Sequence, residues 1–243
     1  MHGSGGSEAA LMIGSGDRNR VTDLYVVGLT GVNVAALQWH RMPGSCTPGG
    51  TSGTPGDWDI AAVTVLNGKG HGIRSITNIQ TDSVVSDVFF ANLKNHGMEL
   101  GAYTWGLDVR GGTIGNILGD AIQFRAVAQP LPPNSRQARI DDLTVVGSDV
   151  EVFGVAGVDA PLDSPWLVNS MRFVNSTLTL DSRNATRAKQ VDFCYPDGIT
   201  AADATFVKLS PGSEIRFQYR DGASEMIDEN GTITPLPDWS ICQ

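Results

Sequence analysis

The chain has 243 residues, 41% of them hydrophobic, enough to bury a sizeable core in one domain or two. Its formal net charge of -9 and the lack of any basic stripe exclude general nucleic-acid binding. No run approaches the roughly 18 consecutive apolar residues that a membrane span needs.

In chain order, residues 1–7 (MHGSGGS) read as an expression tag remnant and are set aside. Beyond them, with charged residues at only 18% and 29 glycines, composition points to short strands separated by frequent turns. Six segments then line up: VTDLYVVG from Val21, IAAVTVLN from Ile60, VSDVFFAN from Val85, VRGGTIGN from Val109, IDDLTVVG from Ile140 and VNSMRFVN from Val168. Their fourth residues, Leu24, Val63, Val88, Gly112, Leu143 and Met171, are separated by steps of 39, 25, 24, 31 and 28. The step of 39 contains the Gly/Pro-rich stretch 41–56, and the step of 31 contains the proline-rich stretch 129–135. Without those loops the period is close to 24, the mark of a solenoid with one repeat per turn.

Each segment alternates apolar and other residues as strands do, and the crossovers are too short for a helix-covered βαβ unit. Four residues past the anchors stand Asn67, Asn92, Asn116 and Asn175, with Gly28 and Gly147 in the other two repeats. Asn and Gly tolerate positive φ, so this column predicts a tight bend in every coil. Asp23, Asp87 and Asp142, one before their anchors, read as a second turn position or, less simply, as calcium ligands; no other cofactor is indicated.

Eight residues past three successive anchors fall His71, His96 and Asp120, and three further on Arg74, Glu99 and Gln123. Coils stack at about 4.8 Å, so the first three predict an outward ladder about 10 Å tall with the second three beside it. Such columns arise in any coiled repeat simply because the coil recurs. They also place two histidines and carboxylates in line for general acid–base chemistry. On the functional reading His71, His96, Glu99 and Asp120 are the catalytic candidates, with His96 as base. Arg74, Gln123, Arg125, Lys69, Lys94, Tyr103 and Trp105 are the substrate-binding candidates. Glu99 and Asp120 are the obvious carboxylate pair for hydrolysis, on the order of 10 Å apart. A lyase would instead use a histidine base with a nearby cation to neutralise a uronate. Both reactions remain open on residue types, and no Cys/His spacing suggests zinc.

Three cysteines allow one bridge, such as Cys194 to Cys242, with Cys46 left over. Together with three Asn-X-Thr triplets at Asn175, Asn184 and Asn230, they lean the compartment towards secreted, extracellular or virion surface.

A coil of about 24 residues, an asparagine column at a bend and Gly-Ile phrases after it resemble the right-handed parallel β-helix of pectate-lyase-like proteins. The likeness covers residues 11–180, and Gly70-His71-Gly72 is similar to a triplet at the catalytic position of polygalacturonase-like members. The resemblance implies an all-β fold: a right-handed, single-stranded parallel β-helix over residues 8–190, of about seven or more coils. Residues 191–243 would be further coils or a less regular capping β segment. It also implies a polysaccharide-active lyase or glycoside hydrolase working on a polysaccharide or oligosaccharide in an outer groove, with no nucleic-acid or membrane partner. The alternative is a non-catalytic carbohydrate-binding or structural module, as in a viral tailspike or an adhesin. A monomer suits the secreted enzyme and a homotrimer the tailspike.

Overall fold

The computed structural model describes residues 9–13, 19–39, 58–75, 79–80, 83–101, 104–126, 139–154, 166–182, 190–240 and 242. Among them there is no α-helix, only a 3-10 turn at Ala201–Asp203. The strands form a parallel β-solenoid. Five regular turns run from Trp58 to Asp181, with one further coil before them and one after. A twelve-stranded and an eight-stranded sheet carry the ladders, and Ile79–Gln80 pairs with Thr104–Trp105 apart from both.

The predicted bends are real. Asn67, Asn92, Asn116 and Asn175 all adopt positive φ between 48 and 58°, and Gly28 and Gly147 occupy the same place in their coils. The aspartate column is a second bend, with φ of 58° at Asp23, 54° at Asp87 and 56° at Asp142. Asparagine and aspartate adopt this left-handed conformation most cheaply after glycine, which is why they recur here. Two left-handed residues and a return loop give each coil three straight segments.

Alternation then decides what is inside. Ile60, Val85, Val109, Ile140, Val168, Phe193 and Phe217 are successive register partners, as are Leu37, Ile73, Met98, Ile122, Val150 and Leu178 on the opposite wall. All are buried. Each such side chain contributes about 1.5–3 kcal/mol of burial, and every coil repeats the contribution.

Parallel pairing continues past the regular turns through Gln190–Cys194 to Glu214–Gln218. There the chain reverses into the antiparallel strands Ser224–Asp228 and Ile233–Pro235, which cover that edge of the ladder. A Cys194–Cys242 disulfide, Cα–Cα 5.4 Å, ties the tail to the last coils. Below it, fully buried Asp192 takes a two-pronged bond from Arg216 at 2.7 and 3.0 Å, and the guanidinium lies 4.9 Å from the centre of the Trp239 ring. Cys46 lies outside the described residues.

Candidate functional site

The predicted columns stand on the outer side of the eight-stranded sheet. Ile73 pairs with Met98 and Met98 with Ile122, and these inward residues carry Arg74, Glu99 and Gln123 as outward neighbours in register. One step upstream the rings of His71 and His96 stack at 5.3 Å, tilted by 35°. The ladder therefore exists, but it falls into two halves of different character.

In the first half, His71 and Glu99 are each only 2% exposed. Arg74 Nε donates to Glu99 Oε2 at 2.8 Å, and its Nη1 donates to the Asn33 carbonyl at 3.3 Å. Burial pulls the Arg74 guanidinium below its ordinary pKa. His71 Nε2 lies 3.0 Å from Asn95 Nδ2 and 3.7 Å from Glu99 Oε2. Asn95 Nδ2 also donates to the Val32 carbonyl at 2.7 Å. With that amide as donor, His71 Nε2 is an acceptor, which places the ring proton on Nδ1. These groups serve one another, and His71 and Glu99 are buried among them.

The Gly70-His71-Gly72 triplet has a packing origin. A Cβ on Gly70 would sit 2.0 Å from the Val34 carbonyl oxygen, and one on Gly72 would sit 2.6 Å from the Gly97 oxygen. Both glycines are required by close backbone approach between coils.

The second half is more open. His96 Nδ1 is 2.8 Å from Asp120 Oδ2, with 17% and 15% of the two side chains exposed. The same nitrogen is 3.1 Å from the Asp120 backbone N–H. It can serve only one of them in a given protonation state. The hydrogen bond is the one from the Asp120 N–H, which makes Nδ1 an acceptor and leaves the neutral ring's proton on Nε2, with Asp120 Oδ2 alongside at 2.8 Å. Gln123 Nε2 donates to Asp120 Oδ2 at 3.1 Å and to Glu151 Oε2 at 2.8 Å, bridging the two carboxyls. Burial, and after it the negative charge of Asp120, pushes Glu151 up to about 7, against the opposing bond from Gln123. Asp149, held by the Thr177 hydroxyl at 2.7 Å, adds a weaker push in the same direction.

The carboxyl that partners Asp120 is thus Glu151 and not Glu99, whose charge is taken by Arg74. Glu151 was missed in the sequence, although it lies eight residues after Leu143, the same count that selects His71, His96 and Asp120. Strict counting would have set it level with Asp120. A register shift between Asp120 and Ile122 instead pairs Asp120 with Asp149 and Gln123 with Glu151. Asn95 carried no sequence signal, because its role depends on contacts with Val32 and His71 in other coils.

Lys69 and Lys94 are exposed on the corner that leads into the histidine strands. Arg125 pairs through its backbone with Gly101 and Phe153, and Trp105 with Gln80. Tyr103 lies outside the described residues. Among the described residues, no group of three or more His, Cys, Asp or Glu side chains is arranged to hold a metal ion. Comparisons with protein-family models, with curated proteins and with solved structures found no match.

Proposed function

We propose that the chain is a polysaccharide-active enzyme of the pectate-lyase-like architecture, working in a groove on the outer side of the eight-stranded sheet. The observation that carries the reading is the chain His96–Asp120–Gln123–Glu151: a histidine beside one carboxylate, next to a second carboxyl whose pKa is raised to about 7. Groups whose environments push their protonation apart are what acid–base catalysis requires. Glu151 gives its proton to the glycosidic oxygen. The reaction uses the other tautomer, with the proton moved to Nδ1 beside Asp120 Oδ2; His96 Nε2 then takes a proton from water, whose oxygen bonds to the anomeric carbon as the glycosidic bond breaks. Asp120 steadies the imidazolium, and Gln123 holds the two carboxyls together. Asp120 and Glu151 share one amide nitrogen, Gln123 Nε2, at 3.1 and 2.8 Å, and act here as one coupled group and not as two carboxyls on opposite sides of a sugar. The base is therefore the histidine. The acidic surroundings of Asp120, Asp149 and Glu151 favour a neutral glycan.

A second reading, elimination on a uronate polymer, draws on Lys69 and Lys94 at the groove corner as cations for the uronate carboxylate. The test is incubation with neutral and acidic polysaccharides, following new reducing ends and the ultraviolet absorbance of a new double bond. Reducing ends alone support hydrolysis, and both signals together support elimination. His96→Ala and Glu151→Gln should each lose about 10²–10⁴-fold in rate with the fold intact. Unchanged cleavage in either variant removes that residue from the mechanism. Silence on a broad panel, above all from a homotrimer, replaces the enzyme with a non-catalytic glycan-binding or structural module.

A further inference from the structure

The middle segment of each coil, between the two bends, presents a flat outer strip that the groove does not use. Its first column runs in register through Tyr25, Thr64, Phe89, Thr113, Thr144 and Arg172. The column beside it runs from Val27 through Leu66 and Ala91 to Val174. Tyr25 is 66% exposed, Val27 52% and Phe89 46%. An isolated exposed apolar residue needs no explanation, but these two aromatics share one column, two rungs apart, with a threonine between and threonines beyond.

Three features restrict what can lie there. Six rungs at about 4.8 Å make the strip roughly 24 Å long, and two outward columns make it roughly 10 Å wide. A few hundred Å² is well below the roughly 800 Å² per partner of a stable protein interface, so the occupant is a thin chain. Exposed Asp23, Asp87 and Asp142 line one border, the column's one cation, Arg172 at its far end, is faced by Asp197 at 3.5 Å, and the chain as a whole is acidic. A polyanion is repelled. Exposed Asn67, Asn92 and Asn116 line the other border with amides that can bond sugar hydroxyls.

We propose that this strip is a second glycan-binding surface that takes a neutral, extended polysaccharide lying along the solenoid axis. Tyr25 and Phe89, two rungs or about 9.6 Å apart, stack on alternate sugar rings, a spacing close to the repeat of an extended disaccharide. Threonine hydroxyls and the asparagine and aspartate borders bond the hydroxyls at the ring edges. The surface lies on a different face from His96 and Glu151 and does not depend on any chemistry there.

Affinity electrophoresis of the full chain in gels containing xylan, mixed-linkage β-glucan or polygalacturonate tests the assignment. The neutral gels should retard the protein and the uronate gel should not. Tyr25→Ala and Phe89→Ala should each weaken retention about tenfold, the usual order for losing one stacking platform. Thr113→Arg, which sets a bulky charge in the strip, should do the same without touching either aromatic, and melting curves check that each variant folds. His96→Ala and Glu151→Gln should bind as the parent does, so failure of the catalytic reading leaves this result intact. No retention in any neutral gel, retention that survives all three strip variants, or stronger retention by polygalacturonate overturns the proposal. So does sedimentation in which the aromatic variants break up a self-associated parent, because a second copy would then cover the strip.

Discussion

The two halves of the polar ladder are built from the same columns of the same repeat, yet one is buried around an arginine–glutamate pair and the other is more open and carries two linked carboxyls. Around His71 every charge has a partner at short range: Glu99 has Arg74, and the imidazole has Asn95. One coil further on, the equivalent positions hold Asp120 and Glu151, which among the described side chains meet a histidine and a glutamine and no arginine. A guanidinium favours the ionised form of a carboxyl it touches, whereas burial beside another carboxylate raises a carboxyl's pKa. Among the described side chains, the guanidinium opposite the carboxylate, and not the repeat itself, distinguishes the two halves.

The comparison can be broken most severely at Arg74. Arg74→Met leaves the Glu99 carboxylate buried without its cation and should cost about 3–5 kcal/mol in urea unfolding. A loss below 1 kcal/mol would mean that the first half is not held by this pair. Next in size is Gly72→Ala, which drives a Cβ against the Gly97 oxygen and the Phe90 ring and should cost roughly 1–3 kcal/mol, while His71→Asn at the same phrase leaves the backbone contact untouched. Equal losses from the two would return the triplet to a histidine-centred role.

Glu151→Gln sharpens the contrast through pH. The folded-state pKa of Glu151 is raised to about 7 from 4.5, so its contribution to stability is present below the ordinary carboxylate range and is lost as pH rises through 7. Glutamine cannot ionise. The variant should match the parent in acid and melt higher above pH 7. After solvent screening the difference is on the order of 1 kcal/mol, or about 2–4 °C. A gap that is the same at pH 5 and pH 8 would show that Glu151 does not titrate in this window. The smallest effect is expected at the bend. Asn92→Gly loses the 3.1 Å bond to Asn67 but relieves a left-handed residue, and should change stability by less than about 0.5 kcal/mol.

The period, the all-β class and both bends were legible in the amino-acid order, because period-two alternation and residues that tolerate positive φ are local properties. So was the stacking of His71, His96 and Asp120, which follows from equal spacing along equal coils. The carboxyl that Gln123 joins to Asp120 was not. Glu99 looked like the partner of Asp120 and Glu151 went unread, since the register shift beside Ala121 and the contacts of Arg74 are fixed between coils. The disulfide was readable only as one allowed pairing, and its closure over the buried Asp192–Arg216 pair depends on where the antiparallel strands end the ladder. By itself, then, the sequence determined the coil and what stands in each column. The tertiary structure decided which side chains are buried, which charges are paired and which carboxyl has its pKa raised, because burial and electrostatic pairing are set by neighbours about 24 to 28 residues away in the chain.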